Sequence, residues 1–182
     1  MNVILLFGLD ALLKMKISEI GSDIFKEFDS SACIIPSYVR KEIKVLTRCR
    51  RKEVRTQAIK LGLTIKDVCG FTDGENLGVG SKTFVAYHRG VQEFLPNKYF
   101  ARITKESKTI AIARYLQDKN PLSQVAIVSG KQGLRMLAAE NDVTVIYPDE
   151  AEEFQENGIV KRKKTARFRR HAVGGGMFGK WV

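Results

Sequence analysis

Val3-Ile4-Leu5-Leu6-Phe7-Gly8-Leu9-Asp10 is the stretch that decides the fold. Residues 3–7 are apolar without alternation. A strand exposed on one face alternates apolar and polar residues, whereas a strand covered on both faces, as in a parallel sheet, does not. Asp10 to Lys16 then starts a helix. Further short runs of strand type follow at Ala32-Cys33-Ile34-Ile35, Val125-Ala126-Ile127-Val128 and Val143-Thr144-Val145-Ile146. Between them the apolar period is helical: Ile20, Ile24 and Phe28 within Ser18 to Phe28; Val39, Ile43 and Leu46 after Pro36; Ile110, Ala113 and Leu116 before Pro121; Leu134 and Leu137 within Gln132 to Ala139. Pro148 to Gln155 is a short acidic helix candidate. Strands alternating with helices predict an α/β, three-layer sandwich with a mostly parallel central sheet and right-handed crossovers.

The helix after Pro36 is expected to run to Leu61, with Gly62 as its stop and Leu63-Thr64-Ile65 as a short strand. Gly70, Gly74, Gly78, Gly80 and Gly90 break up any period over about residues 70–100, which reads as an irregular insertion with a hairpin around Lys82 to Tyr87. Residues 1–148 are thus the α/β domain, and 149–182 a C-terminal extension with a basic, Gly-rich tail.

With 182 residues and 44% hydrophobic content, the chain is long and apolar enough to fold around its own core. Cys33, Cys49 and Cys69 form no CxxC pair and only two histidines are present, so a zinc site has little to draw on. The sparse cysteines suit a reducing intracellular compartment, cytoplasm or nucleus/nucleoid. No apolar run reaches the roughly 18 residues that span a bilayer, and residues 1–13 read as a strand entering a helix rather than a signal peptide. The expected protein is soluble, with no membrane partner.

Charge is the first functional clue. The formal net charge is +11. Residues 161–182 hold eight basic residues and no acid, which leaves 23 basic against 20 acidic residues elsewhere, or +3 on the body. A strongly basic tail on a mildly basic body points to nucleic acid, because neutralising phosphates releases condensed counterions; the bland alternative is a solvated end. The candidate phosphate contacts are Arg48, Arg50, Arg51, Lys52 and Arg55 on the third helix, and Lys161, Arg162, Lys163, Lys164, Arg167, Arg169 and Arg170 in the tail. Tyr87, Phe94, Tyr99 and Phe100 lie among Arg89, Lys98 and Arg102, where aromatics either stack bases or pack a loop onto the body. Residues 74–80 are Gly-rich but lack the lysine and hydroxyl that a phosphate loop needs.

In sheets of this class the working site lies beyond the carboxyl ends of the strands. Those ends carry Gly8-Leu9-Asp10, Ile35-Pro36-Ser37 and Ser129-Gly130-Lys131. Asp10 serves there as a site residue or as a helix N-cap, Glu42 as a site residue or in a salt bridge of a basic helix. Glu106 serves as a site residue or as a first-turn acid favoured by the helix dipole. Lys131, at a helix start, suits a phosphate.

Gly8-Leu9-Asp10-Ala11-Leu12-Leu13 after a strand, Ile34-Ile35-Pro36 leading a helix with Glu42-Ile43, and the order Glu106, Ile110 to Ala113, Val125 to Val128, Leu134-Arg135, Val143 to Ile146 together resemble the PIN domain. PIN domains are metal-dependent nucleases. The basic stretch after Glu42 is similar to the PIN half of PhoH-type proteins, and the resemblance covers roughly residues 3–148, leaving 70–97 unmatched. It implies that Asp10, Glu42 and Glu106 hold Mg²⁺ or Mn²⁺ and are catalytic if the protein is active. It also exposes departures: Gly8 stands at the first acid position, and Ser129-Gly130-Lys131 supplies no carboxylate at the last. The expected function is therefore an RNA-binding PIN-like protein with a degraded metal-nuclease site and no cofactor. It would act as a recognition or scaffold subunit in a ribonucleoprotein, on structured or ribosomal-type RNA, in a protein complex or as a homodimer. The alternative is a Mg²⁺/Mn²⁺-dependent endoribonuclease.

Overall fold

The structure, a computed structural model, describes residues 2–15, 25–96 and 102–158. Six strands form one sheet: β1 (Asn2–Phe7), β2 (Ser31–Pro36), β3 (Gly70–Thr72), β4 (Lys82–Val85), β5 (Ser123–Val128) and β6 (Thr144–Ile146). Their order is β3-β4-β2-β1-β5-β6, and every neighbouring pair is parallel. Leu5 stands in register with Cys33 on one side and Ala126 on the other. Val3 to Phe7 are all buried. Val3, Leu5 and Phe7 face one core, while Ile4 and Leu6 face a second. Burial on both faces is the physical reason for the unbroken apolar run.

Helices cover both faces, giving the three layers of an α/β sandwich. On the first side lie α1 (Leu9–Lys14), α2 (Ser37–Leu46), α3 (Lys52–Val68) and α7 (Ala151–Asn157). They enclose Phe7, whose ring meets Phe25 and Phe28 at 5.3 and 5.5 Å. The opposite side carries α4 (Arg89–Gln92), α5 (Lys105–Lys119) and α6 (Gln132–Ala139). α5 is held at its start by a capping box between Thr104 and Ser107.

Several expectations are corrected. The helix after Pro36 is two helices: α2 stops at Thr47, whose hydroxyl donates to the Lys44 carbonyl at 2.8 Å, and α3 begins after Arg51. Such local side-chain bonds compete with helix propagation. Gly62 does not stop the chain, and Leu63-Thr64-Ile65 is helix, not strand. A Cβ at Gly62 would sit 3.4 Å from Ile43 Cγ2, so the glycine lies where α3 packs on α2. Lys82 to Val85 is not a hairpin arm but a strand, β4, parallel to both β2 and β3. Phe84 and Val85 are buried in it. Of the helix expected over Ser18 to Phe28, residues 18–24 lie outside the described residues, and Lys26–Phe28 is a single 3-10 turn. Residues 148–150 form another such turn leading α7. α7 packs Ala151 and Phe154 into the first core although the sequence places it in the extension. Among the described residues no helix is long and apolar enough to cross a membrane.

From β1 the chain moves to β2 on one side, and it later returns to β5 on the other. The order therefore reverses at β1, and the crevice at the carboxyl ends of β1 and β5 is where such sheets place their sites.

Candidate functional site

That crevice is lined by Gly8 and Asp10 after β1, Tyr38 and Glu42 on α2, Lys105 and Glu106 opening α5, and Lys131 opening α6. Asp10, Glu42, Glu106 and Lys131 thus share one cleft. Pro36 does not line it.

Asp10 is the second residue of α1, not its N-cap; the cap position is Gly8, which offers no side chain. The Asp10 carboxylate instead reaches across to the β5–α6 turn. It accepts the Ser129 hydroxyl at 2.9 Å and the Gly130 amide at 2.7 Å. Ser129 is fully buried, and its oxygen in turn accepts the Lys131 amide at 3.2 Å. Gly8 donates its amide to the Val128 carbonyl at 3.0 Å. A Cβ at Gly8 would stand 2.9 Å from Asp10 Oδ1 and 3.4 Å from the Val128 carbonyl oxygen. A side chain at residue 8 therefore requires Asp10 Oδ1 to shift from this placement. Across the same turn, a Cβ at Gly130 would meet Lys14 Nζ at 2.9 Å and Asp10 Oδ2 at 3.6 Å, which sets the Lys14 ammonium beside the turn.

Glu42 is engaged by Lys105, whose ammonium donates to Glu42 Oε1. The bond and the charge of Glu42 raise the Lys105 pKa above its ordinary value. Glu106 sits in the first turn of α5, where the dipole favours an acid, and Lys131 lies 4.0 Å from its Oε1. Tyr38 fills the floor, its hydroxyl 2.5 Å from Thr109 Oγ1. Burial pushes the Tyr38 phenol well above its ordinary range; the Thr109 bond opposes this, and the Glu42 and Glu106 charges add to it.

The donor set does not fit a divalent ion. Both Asp10 oxygens are committed to the turn, Glu42 to Lys105, and Glu106 faces Lys131. Among the described residues, no group of three or more His, Cys, Asp or Glu side chains is arranged to hold a metal. The cavity is about 20 Å³, roughly the room of one water. The Lys105 ammonium pairs with Glu42 and the Lys131 ammonium lies near Glu106, and positive charges at short range disfavour a further cation.

The nucleic-acid candidates separate. Lys131 is in the cleft. Arg48, Arg50 and Arg51 are in the turn between α2 and α3, and Lys52 and Arg55 open α3; all five are exposed. They sit at the carboxyl end of α2, whereas the cleft borders its amino-terminal half, so the basic turn does not join the cleft. Residues 161–170, which carry the tail candidates, lie outside the described residues.

Of the aromatic candidates, Phe94 packs on Tyr115 at 5.8 Å, and Lys108 Nζ lies 5.1 Å over the Tyr87 ring; Tyr99 and Phe100 are not among the described residues. His88 caps α4 by accepting the Gly90 amide at 3.2 Å. Lys105, Tyr38 and Thr109 are cleft residues that sequence reasoning missed, and it named Ser129 as a strand end without seeing it as a partner of Asp10. Ser129 carried a signal, since it follows an apolar strand directly; Lys105 carried none beyond standing before Glu106. Compared with models of known protein families and with curated proteins, the chain matches none.

Proposed function

We propose that this chain is a PIN-like RNA-binding protein whose former acidic centre has become a cross-linked, charge-balanced anchor. In this reading it recognises or scaffolds RNA rather than cutting it. The observation that carries the reading is that the cleft carboxylates face donors of the chain itself: Asp10 accepts from Ser129 and Gly130, Glu42 from Lys105, and Glu106 lies 4.0 Å from the Lys131 ammonium. A nuclease centre needs those carboxylates free to bind metal and to neutralise the developing charge on phosphorus. Here they link α1 to the β5–α6 turn and α2 to α5 at the switch point.

RNA enters through charge. The chain carries +11 overall, and the α2–α3 turn presents exposed arginines without a carboxylate among Arg48 to Lys52. We place the RNA backbone on this turn and on the basic tail, with Lys131 offering one further phosphate contact. Contacts of this kind position an RNA without reading its sequence. Structured or ribosomal-type RNA in a reducing intracellular compartment, within a protein complex or a homodimer, is the partner class this reading implies.

The test pairs binding with cleavage. A labelled structured RNA is titrated with the full chain over a range of salt, then incubated with Mn²⁺ beside a Glu42→Gln variant. The expected result is salt-sensitive binding and no cleavage that depends on Glu42. Manganese-dependent cleavage lost in Glu42→Gln would overturn the reading in favour of an endoribonuclease.

A further inference from the structure

We propose that the groove between α2, α3 and β3 docks an acidic amphipathic helix of a partner protein. The inference goes beyond the RNA reading and does not depend on it. The groove lies on the side of α2 away from Glu42 and encloses about 830 Å³. Its floor is aliphatic: Ile43 and Ile65 are buried, while Ile59 and Leu63 stay 45% and 42% exposed. Phe71 on the edge strand closes one end at 65% exposure. Its ring is held by Arg40, whose guanidinium carbon lies 5.2 Å from the centroids of both Phe71 and Phe84.

The rim is of one sign. Arg40, Lys41, Lys44 and Lys66 line it, and among the described side chains no Asp or Glu does. Among the described residues the three lysines make no ion pair. Leaving apolar side chains in water and like charges side by side is unfavourable on both counts. An occupant with an apolar stripe and flanking carboxylates relieves both at once.

Shape selects a helix. The groove follows residues 37–47 along α2 and 59–66 of α3, about 12–16 Å of helix, so it seats two to three turns. The edge strand β3 is three residues, too short to hold an added strand well. Single-stranded RNA gains most from stacking on aromatic faces, and this floor presents one aromatic ring among aliphatic side chains.

The probe is a fluorescein-labelled peptide of about 18 residues, a helix of about 27 Å, with leucines at i, i+3/i+4 and i+7 and glutamates on the flanks. Two control peptides replace the glutamates by lysine or the leucines by serine. Anisotropy is measured with the full chain, Leu63→Asp and Lys44→Glu; both sites are exposed, and circular dichroism checks each fold. The acidic leucine peptide should bind at least about tenfold tighter than either control. Each variant should weaken it about fivefold or more, every 1.4 kcal/mol being tenfold. Equal binding of the three peptides, or no effect of either variant, overturns the proposal.

Other occupants give other results, each of which also overturns it. If Leu63→Asp weakens a single-stranded oligouridine and not the peptide, the groove belongs to RNA. If it abolishes binding to anionic phospholipid vesicles and not to the peptide, the groove belongs to a membrane surface. Trp181 is the one tryptophan in the sequence. If Leu63→Asp shifts its emission to the red in the full chain, the occupant is the chain's own tail.

Discussion

Replacing Asp10 separates an anchoring role from a metal-binding one, because the two predict opposite signs. In a centre that gathers carboxylates for a cation, removing one acid in the absence of metal relieves repulsion and stabilises the fold. In this structure Asp10 is the acceptor for two donors on a different element, the Ser129 hydroxyl at 2.9 Å and the Gly130 amide at 2.7 Å. Hydrogen bonds to a charged group contribute about 1.5–3 kcal/mol each, and a buried donor left without an acceptor costs about 1–3 kcal/mol. Ser129 is wholly buried, though it keeps its bond from the Lys131 amide, and Asp10 itself is half-buried. Discounting for that exposure, Asp10→Ala should cost about 3 kcal/mol. For a chain of this length that is a fall in Tm of about 6–12 °C. Asp10→Asn keeps one acceptor oxygen and should cost about half as much. The assay is urea denaturation in EDTA followed by circular dichroism, with the slope compared among variants so that a midpoint shift reads as stability. A midpoint that is unchanged or raised in Asp10→Asn would refute the anchoring argument.

Three further outcomes are expected. Gly8→Ala should destabilise by about 1–3 kcal/mol, since its Cβ would press on Asp10 Oδ1; in the Asp10→Ala background most of that cost should vanish, a non-additivity that denaturation of the four proteins reads directly. Leu5→Ala and Ile127→Ala, both fully buried but in opposite cores, should each cost about 2–5 kcal/mol, and their double variant should be close to additive. The raised pKa of Tyr38 sets a pH dependence: above about pH 10 the unfolded phenol ionises while the folded one holds its proton, so stability falls as pH rises, by up to about 1.4 kcal/mol per pH unit for each such group. Stability curves between pH 8 and 11 should be flatter above pH 10 for Tyr38→Phe than for the parent chain.

The central strands were legible because burial on both faces leaves an unbroken apolar signature, as in Val3 to Phe7 and Val125 to Val128. The sheet's far side was not. β3 and β4 are three and four residues long, too short for any period to register, and the glycines around them hid that Phe84 and Val85 are core. Gly62 misled for a different reason: it is a packing glycine against Ile43, and local propensity carries no sign of a neighbouring helix. At the cleft, parallel-sheet topology brings strand ends together, so the meeting of Asp10, Glu42 and Glu106 could be anticipated. Who bonds whom could not. The Lys105–Glu42 pair and the Asp10–Ser129 bond join residues 63 and 119 positions apart, and only the folded geometry creates them.

The interlock of Gly8, Asp10, Ser129 and Gly130 also constrains the order in which these positions can change. An aspartate introduced at residue 8 meets Asp10 before it can do anything else. Taking Asp10 away first strips the acceptor from a buried serine and loosens the turn. Lys131 to an acid, made alone, would set it opposite Glu106 with no cation to join them. Each single step toward an acidic centre therefore lowers stability before it gains a function. The cleft behaves as a ratchet, in which these positions change without loss of stability through paired substitutions.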